Sequence, residues 1–206
     1  MTVSVEVKHY AAPPIDRAEI WRYAGCRSTP DAALTDKLEW CLQQAQDSLV
    51  YRACLCTVPL TVQQDGCVAG PLFLPSKGLA RHLQGCDRAV LFAATVGPGI
   101  DRLITRYSRI EPSAALRFQA IGAERIEALC DAVCADAAQA GALRSRFSPG
   151  YGDLPLSCQT ELFSLLGCAR HIGLTLGSSL LMSPTKSVTA VVGIQKQAKD
   201  ESNVVF

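Results

Sequence analysis

The 206-residue chain has no Cys-x-x-Cys, no His-x-x-x-His or His-Glu-x-x-His, and no excess of charge of either sign. Each absence removes a class of function. Without Cys-x-x-Cys, neither a zinc-ribbon knuckle nor a thioredoxin-like redox pair has its spacing. The histidines, at positions 9, 82 and 171, are too scattered to pair on a metal, so no built-in metal centre is expected. Lys and Arg (20) almost cancel Asp and Glu (19), which argues against a nucleic-acid partner, since phosphates call for a basic surplus. The longest uncharged run, Ile172 to Thr185, has 14 residues broken by two Gly and a Pro. That is short of the roughly 20 apolar residues of a membrane helix. The start shows no basic segment followed by an apolar one, so a cytoplasmic protein with reduced thiols is expected.

What is present suits one globular domain. Hydrophobic residues make up 49% and charged residues 19%, enough to bury a core without disulfides or metal. The ten cysteines mostly sit among aliphatic residues, as in Ala53-Cys54-Leu55-Cys56 and Leu129-Cys130, where a free thiol behaves as a small hydrophobe. Alternation predicts a strand over Val3–Val7. The apolar spacings predict helices over Asp16–Tyr23 and Ala32–Val50. Tyr51–Val62 reads as a strand, followed by a hairpin-type turn at Asp65-Gly66. Ala89–Val96 reads as a central strand, ended by Gly97-Pro98-Gly99, with a helix over Asp101–Tyr107. The longest helix is expected over about Pro112 to Ala140. A rigid loop marked by Gly150, Gly152 and Pro155 then precedes a short helix over Leu156–Leu166. Gly173–Met182 and Ser187–Ile194 read as extended, and a polar tail covers 196–206. With no repeat or linker, the expectation is a single α+β domain over 1–195, with a mixed or antiparallel sheet and helices packed around it.

Three segments could carry chemistry. Gly97-Pro98-Gly99 could approach a phosphate, but with two glycines and no acidic residue at a second strand end, a tight strand-to-helix turn is the better reading. His82-Leu83-Gln84-Gly85 resembles part of the Asp-x-His-x-x-Gly element by which some corrinoid proteins hold cobalt. Ala80 stands at the Asp position, so the partner that would orient the imidazole is missing and cobalamin binding by this chain alone is rejected. On the long helix, Ala123, Glu127, Cys130 and Cys134 form a narrow stripe beside the greasier Gly122, Ile126, Leu129 and Val133. Glu127 is then a carboxylate among small residues at the edge of the buried face, suited to a cation or a hydroxyl, or else simply reaching water. In Arg146-Phe147-Ser148-Pro149-Gly150-Tyr151-Gly152-Asp153-Leu154-Pro155, glycines permit close backbone approach and prolines stiffen the chain. Arg146 offers a fork for a carboxylate, Tyr151 an apolar face with a hydroxyl. The alternative is a structural turn with Arg146 in a salt bridge.

At this loop the sequence resembles the activation (S-adenosylmethionine-binding) domain of cobalamin-dependent methionine synthase, in its stand-alone form. The resemblance is carried by Arg146-Phe-Ser-Pro-Gly150-Tyr151, by the segment Gly173 to Val188, by Ala89–Val96 and by Arg125-Ile126-Glu127-Ala128-Leu129. It runs in the family's order over roughly residues 85 to 195. It implies that S-adenosylmethionine is held by Glu127, by Arg146 at the carboxylate end, by backbone groups at Ser148 and Gly150, and by the ring of Tyr151. The family's N-terminal ligand aspartate has no secure counterpart near Arg22–Cys26, and the fused domain's C-terminal tyrosine pair is absent.

The implied function is repair. An external flavodoxin- or ferredoxin-like donor supplies one electron to cob(II)alamin, and methyl transfer from S-adenosylmethionine traps the reduced cobalt as methylcobalamin. The chain would place the methyl donor, while the cobalamin stays on a methionine synthase core or related corrinoid protein. It would act only when docked there and would contribute no catalytic residue of its own. The rival readings are a docking partner of another corrinoid methyltransferase, an interaction module that has lost its ligand, and a thiol redox protein. The absent Cys-x-x-Cys argues against the last.

Overall fold

A continuous apolar strand is stable only where both of its faces are covered, and the centre of this fold is built on that rule. The computed structural model describes residues 3–196. In chain order its elements are β1 (Glu6–His9), α1 (Arg17–Tyr23), α2 (Ala32–Gln46), β2 (Arg52–Val62), β3 (Cys67–Ala69), β4 (Leu72–Leu74), α3 (Lys77–His82) and β5 (Cys86–Thr95). Then come α4 (Gly99–Ile110), α5 (Pro112–Ala137), α6 (Cys158–Leu166), α7 (Cys168–Ile172), β6 (Thr175–Leu176), β7 (Met182–Ser183) and β8 (Ser187–Gln195). The main sheet runs β4-β3-β2-β5-β8, with β1 also paired to β2. Every pairing is antiparallel, so the fold is α+β with helices on both faces.

The period-2 alternation of β5 shows how two cores share one strand. Val90, Phe92 and Ala94 point into a layer with α2, α4 and α5, together with Ala53 and Leu55 of β2 and Ala190 and Val192 of β8. Ala89, Leu91 and Ala93 point the other way, into a layer with α6 and α7, together with Cys54, Cys56 and Val58. Eight of the ten cysteines are buried and all ten are free thiols, so the buried eight pack as small hydrophobes. Six of them, Cys54, Cys56, Cys67, Cys86, Cys158 and Cys168, lie in this second layer. Burial pushes the Cys56 and Cys67 thiols up to about 11, which leaves them without thiolate character. The Cys54 thiol donates to Cys168 Sγ at 4.0 Å, and the two form no disulfide.

The glycine turn after β5 is a packing device. Gly97 has φ +78, and a Cβ on Gly99 would sit 1.9 Å from the Ser48 carbonyl, so α4 starts against the end of α2 only because Gly99 has no side chain. That contact bears on α2 as well. The helix expected to reach Val50 stops at Gln46, because Val50 N–H donates to Val96 O and begins the sheet. Other boundaries also differ. The first strand is Glu6–His9 rather than Val3–Val7, set by its register on Leu55–Arg52. Gly173–Met182 is not one extended run but part of a hairpin of two short strands, Thr175–Leu176 and Met182–Ser183, turned by Gly177 to Leu181 with Leu180 at φ +62. Helices α3 and α7 were not expected.

β8 forms one outer edge of the sheet, and the chain between α5 and α6 runs along it. Leu143 bridges to Ile194 and Phe147 to Val191, with Phe147 N–H to Val191 O at 3.0 Å and the return bond at 2.8 Å. Of the polar tail, Lys196 N–H donates to Gly85 O, and 197–206 lie outside the described residues. Among the described residues no helix is long and apolar enough to cross a membrane.

Candidate functional site

Helix α5 opens with Pro112, whose missing N–H costs nothing at that position. It buries Ile121, Ile126, Leu129 and Val133 against the sheet. That leaves Glu127 half-buried at the flank, with Cys130 fully buried one turn on. The loop after α5 is anchored by the buried ring of Phe147 and closed on itself by Gly150 N–H to Leu154 O at 2.9 Å and Tyr151 N–H to Ser148 O at 3.0 Å. Positive φ at Gly150 and Gly152 makes this turn possible. Asp153 ties it to α3, accepting from Ser76 Oγ and from Gly78 N–H at 3.1 Å. The Ser76 hydroxyl and the Gly78 N–H hold the Asp153 carboxyl below its ordinary value.

Between this loop and α5 lies a cavity of about 570 Å³ lined by His82, Glu127, Ser145, Arg146, Phe147, Ser148, Tyr151 and Val188. Four of the five residues singled out from the sequence thus face one space. Gly150 is not among them: it shapes the turn, and its N–H is spent on Leu154. One wall is a row of rings, with His82 5.7 Å from Phe147 and Phe147 5.1 Å from the exposed Tyr151, edge to face. His82, with Nε2 2.8 Å from Ser145 O, belongs to this wall.

The opposite wall is charged. Arg146 Nη2 lies 2.7 Å from Glu127 Oε2, and Nη1 donates to Asp131 Oδ1. Burial disfavours the Arg146 charge, but the hydrogen bond to Asp131 and the nearby Cys130, Asp131 and Glu127 outweigh it and raise the pKa further. The residues expected to hold opposite ends of a ligand therefore hold each other. Burial pushes both Cys130 and Cys134 thiols up, which disfavours the thiolate form beside the pair.

Glu127 also lines a second, adjoining groove of about 610 Å³, walled on its far side by Pro13, Pro14, Asp16 and Glu19 and on the helix side by Glu124, Ala128 and Asp131. This strap is held by a buried device. Arg125 donates to Pro13 O and Pro14 O, both at 2.6 Å, and to its neighbour Glu124, which accepts in turn from Asp16 N–H at 3.0 Å. Asp16, the N-cap of α1, lines this groove. Asp16 carried a readable helix-start signal, and Asp131 stands four residues after Glu127, the spacing that shares a helix face. The pairing of Arg125 with two proline carbonyls has no signal in sequence. Among the described residues no group of three or more His, Cys, Asp or Glu could hold a metal ion.

No protein-family model and no curated protein matches the sequence. A solved structure does match: a crystal structure of the MetH reactivation domain bound to AdoHcy. The TM-score is 0.69 over 96% of this chain and 80% of that one, at 13% sequence identity. At that identity the likeness is one of architecture, and this chain has the fold of the MetH reactivation domain.

Proposed function

We propose that this chain binds S-adenosylmethionine in the cavity between α5 and the loop of residues 146–155, and serves the reductive remethylation of cob(II)alamin on a cobalamin-dependent methionine synthase. The observation that carries the reading is the convergence of Glu127, Arg146, Ser148 and Tyr151 on one cavity, in a fold whose solved representative was crystallised with AdoHcy. The chain's own residues bind and orient. Arg146 takes the ligand's carboxylate, Glu127 faces its cationic end, and the ring of Tyr151 covers an apolar face. Gly150 sets the turn that presents Ser148 and Tyr151. The cobalamin belongs to the partner, a methionine synthase core or a related corrinoid protein. The electron comes from a flavodoxin- or ferredoxin-like donor, and the setting is the cytoplasm.

Isothermal titration tests the ligand. The wild type binds S-adenosylmethionine, and Arg146→Ala weakens binding about tenfold or more, the loss expected for a charge-assisted contact. A wild type that binds neither S-adenosylmethionine nor S-adenosylhomocysteine overturns the assignment. The partner is tested by adding the chain to a methionine synthase core in the cob(II)alamin state, with reduced flavodoxin and S-adenosylmethionine, and following methylcobalamin by its absorption.

One observation favours a second reading. Arg146 already has two carboxylate partners, as it would in an interaction module that keeps the fold without the ligand. The same titration separates the two.

A further inference from the structure

Resting on the proposed S-adenosylmethionine site, we infer that Asp131 sets the net charge of that site and makes it select the sulfonium donor over the thioether that remains once the methyl group has left. Glu127 and Arg146 alone would neutralise each other and offer no net field to either end of a zwitterion. The structure adds a third member. Asp131 holds the second arm of the Arg146 guanidinium, so these three groups together carry one net negative charge, while the other cation of the neighbouring groove, Arg144, donates to Gln84 O. The adjoining groove adds to it: Glu19 and Glu124 are paired with Arg22 and Arg125, whereas Asp16 makes no salt bridge among the described residues.

S-adenosylmethionine carries a sulfonium, an ammonium and a carboxylate, and so one net positive charge. S-adenosylhomocysteine lacks the methyl group and the sulfonium charge and is neutral overall. A cluster of net charge −1 attracts the first and is indifferent to the second. The Asp131 side chain is 74% exposed, so water and salt screen its field and the discrimination is modest, about three- to tenfold in the ratio of the two dissociation constants. The same exposure means that substitutions at 131 leave the core untouched.

The experiment is titration of both ligands into the wild type, Asp131→Asn and Asp131→Glu, at low salt and again at high salt. The ratio is the readout, because any loss of Arg146 positioning weakens both ligands alike and cancels. The wild type favours S-adenosylmethionine. Asp131→Asn shrinks the preference about threefold or more, Asp131→Glu keeps it, and high salt reduces it in the wild type. A ratio unchanged in Asp131→Asn, or a wild type that binds the two ligands equally, overturns this inference while leaving the binding site in place. Failure of the wild type to bind either ligand overturns the site itself, and the inference with it.

Discussion

Helix α5 supplies the glutamates of two Glu–Arg pairs, three residues apart, one arginine beside its partner on the helix and the other, Arg146, in the loop that follows, and the pairs do opposite work. Glu124–Arg125 is buried, with side chains 4% and 2% exposed, and every arm of its guanidinium is committed to a carboxylate or a proline carbonyl. Glu127–Arg146 is open to water on one side, with side chains 45% and 25% exposed, and borders a cavity. A saturated, desolvated pair fixes backbone and has nothing left to offer a ligand. A half-hydrated pair can exchange partners at modest cost, because removing a neighbour leaves no charge stranded in apolar surroundings.

Breaking the buried pair should have the largest effect. Arg125→Met leaves Glu124 without its partner and frees the Pro13–Asp16 strap, at a cost of about 3 to 5 kcal/mol, read by urea unfolding. A cost near zero would remove the distinction between the pairs. Arg146→Ala should move stability by only about 1 kcal/mol or less while ligand affinity falls, so the two variants separate structure from binding. A third test concerns the tie behind the cavity. The Asp153 carboxyl lies below its ordinary value of 3.8 in the folded protein. The stability it contributes is therefore fully present above that value and is lost as the pH falls through the depressed one. Asp153→Asn flattens that part of the acid unfolding profile and loosens the loop, as amide hydrogen exchange at 148–154 will show. Smallest is Glu39→Gln, which breaks the exposed pair with Arg17 and should cost no more than about 0.5 kcal/mol.

What could be read in advance follows the range of the forces involved. β5 was legible because both of its faces are apolar, and α5 because its periodicity runs for seven turns. The loop at 146–155 announced itself through glycines and prolines that act on their own backbone. Helices α3 and α7, at six and five residues, are too short for a period to register. The closure of Arg146 by Asp131 was half legible: the spacing to Glu127 was in the sequence, but the direction of Arg146 is set by Phe147 bridging to Val191. The strap was illegible, because Arg125 reads as one more charged helical residue until two carbonyls 111 and 112 positions away are seen to meet it.

The outer strand β8 would otherwise present bare N–H and C=O groups to any passing chain, the usual starting point for edge-to-edge aggregation. Leu143, Arg144 and Phe147 occupy that edge, and they belong to the same stretch that presents Arg146 and Tyr151. The protection of the sheet and the shape of the cavity are thus one investment. A deletion that discarded residues 142–155 would also bare the edge, so this stretch would be kept for solubility whatever the cavity holds.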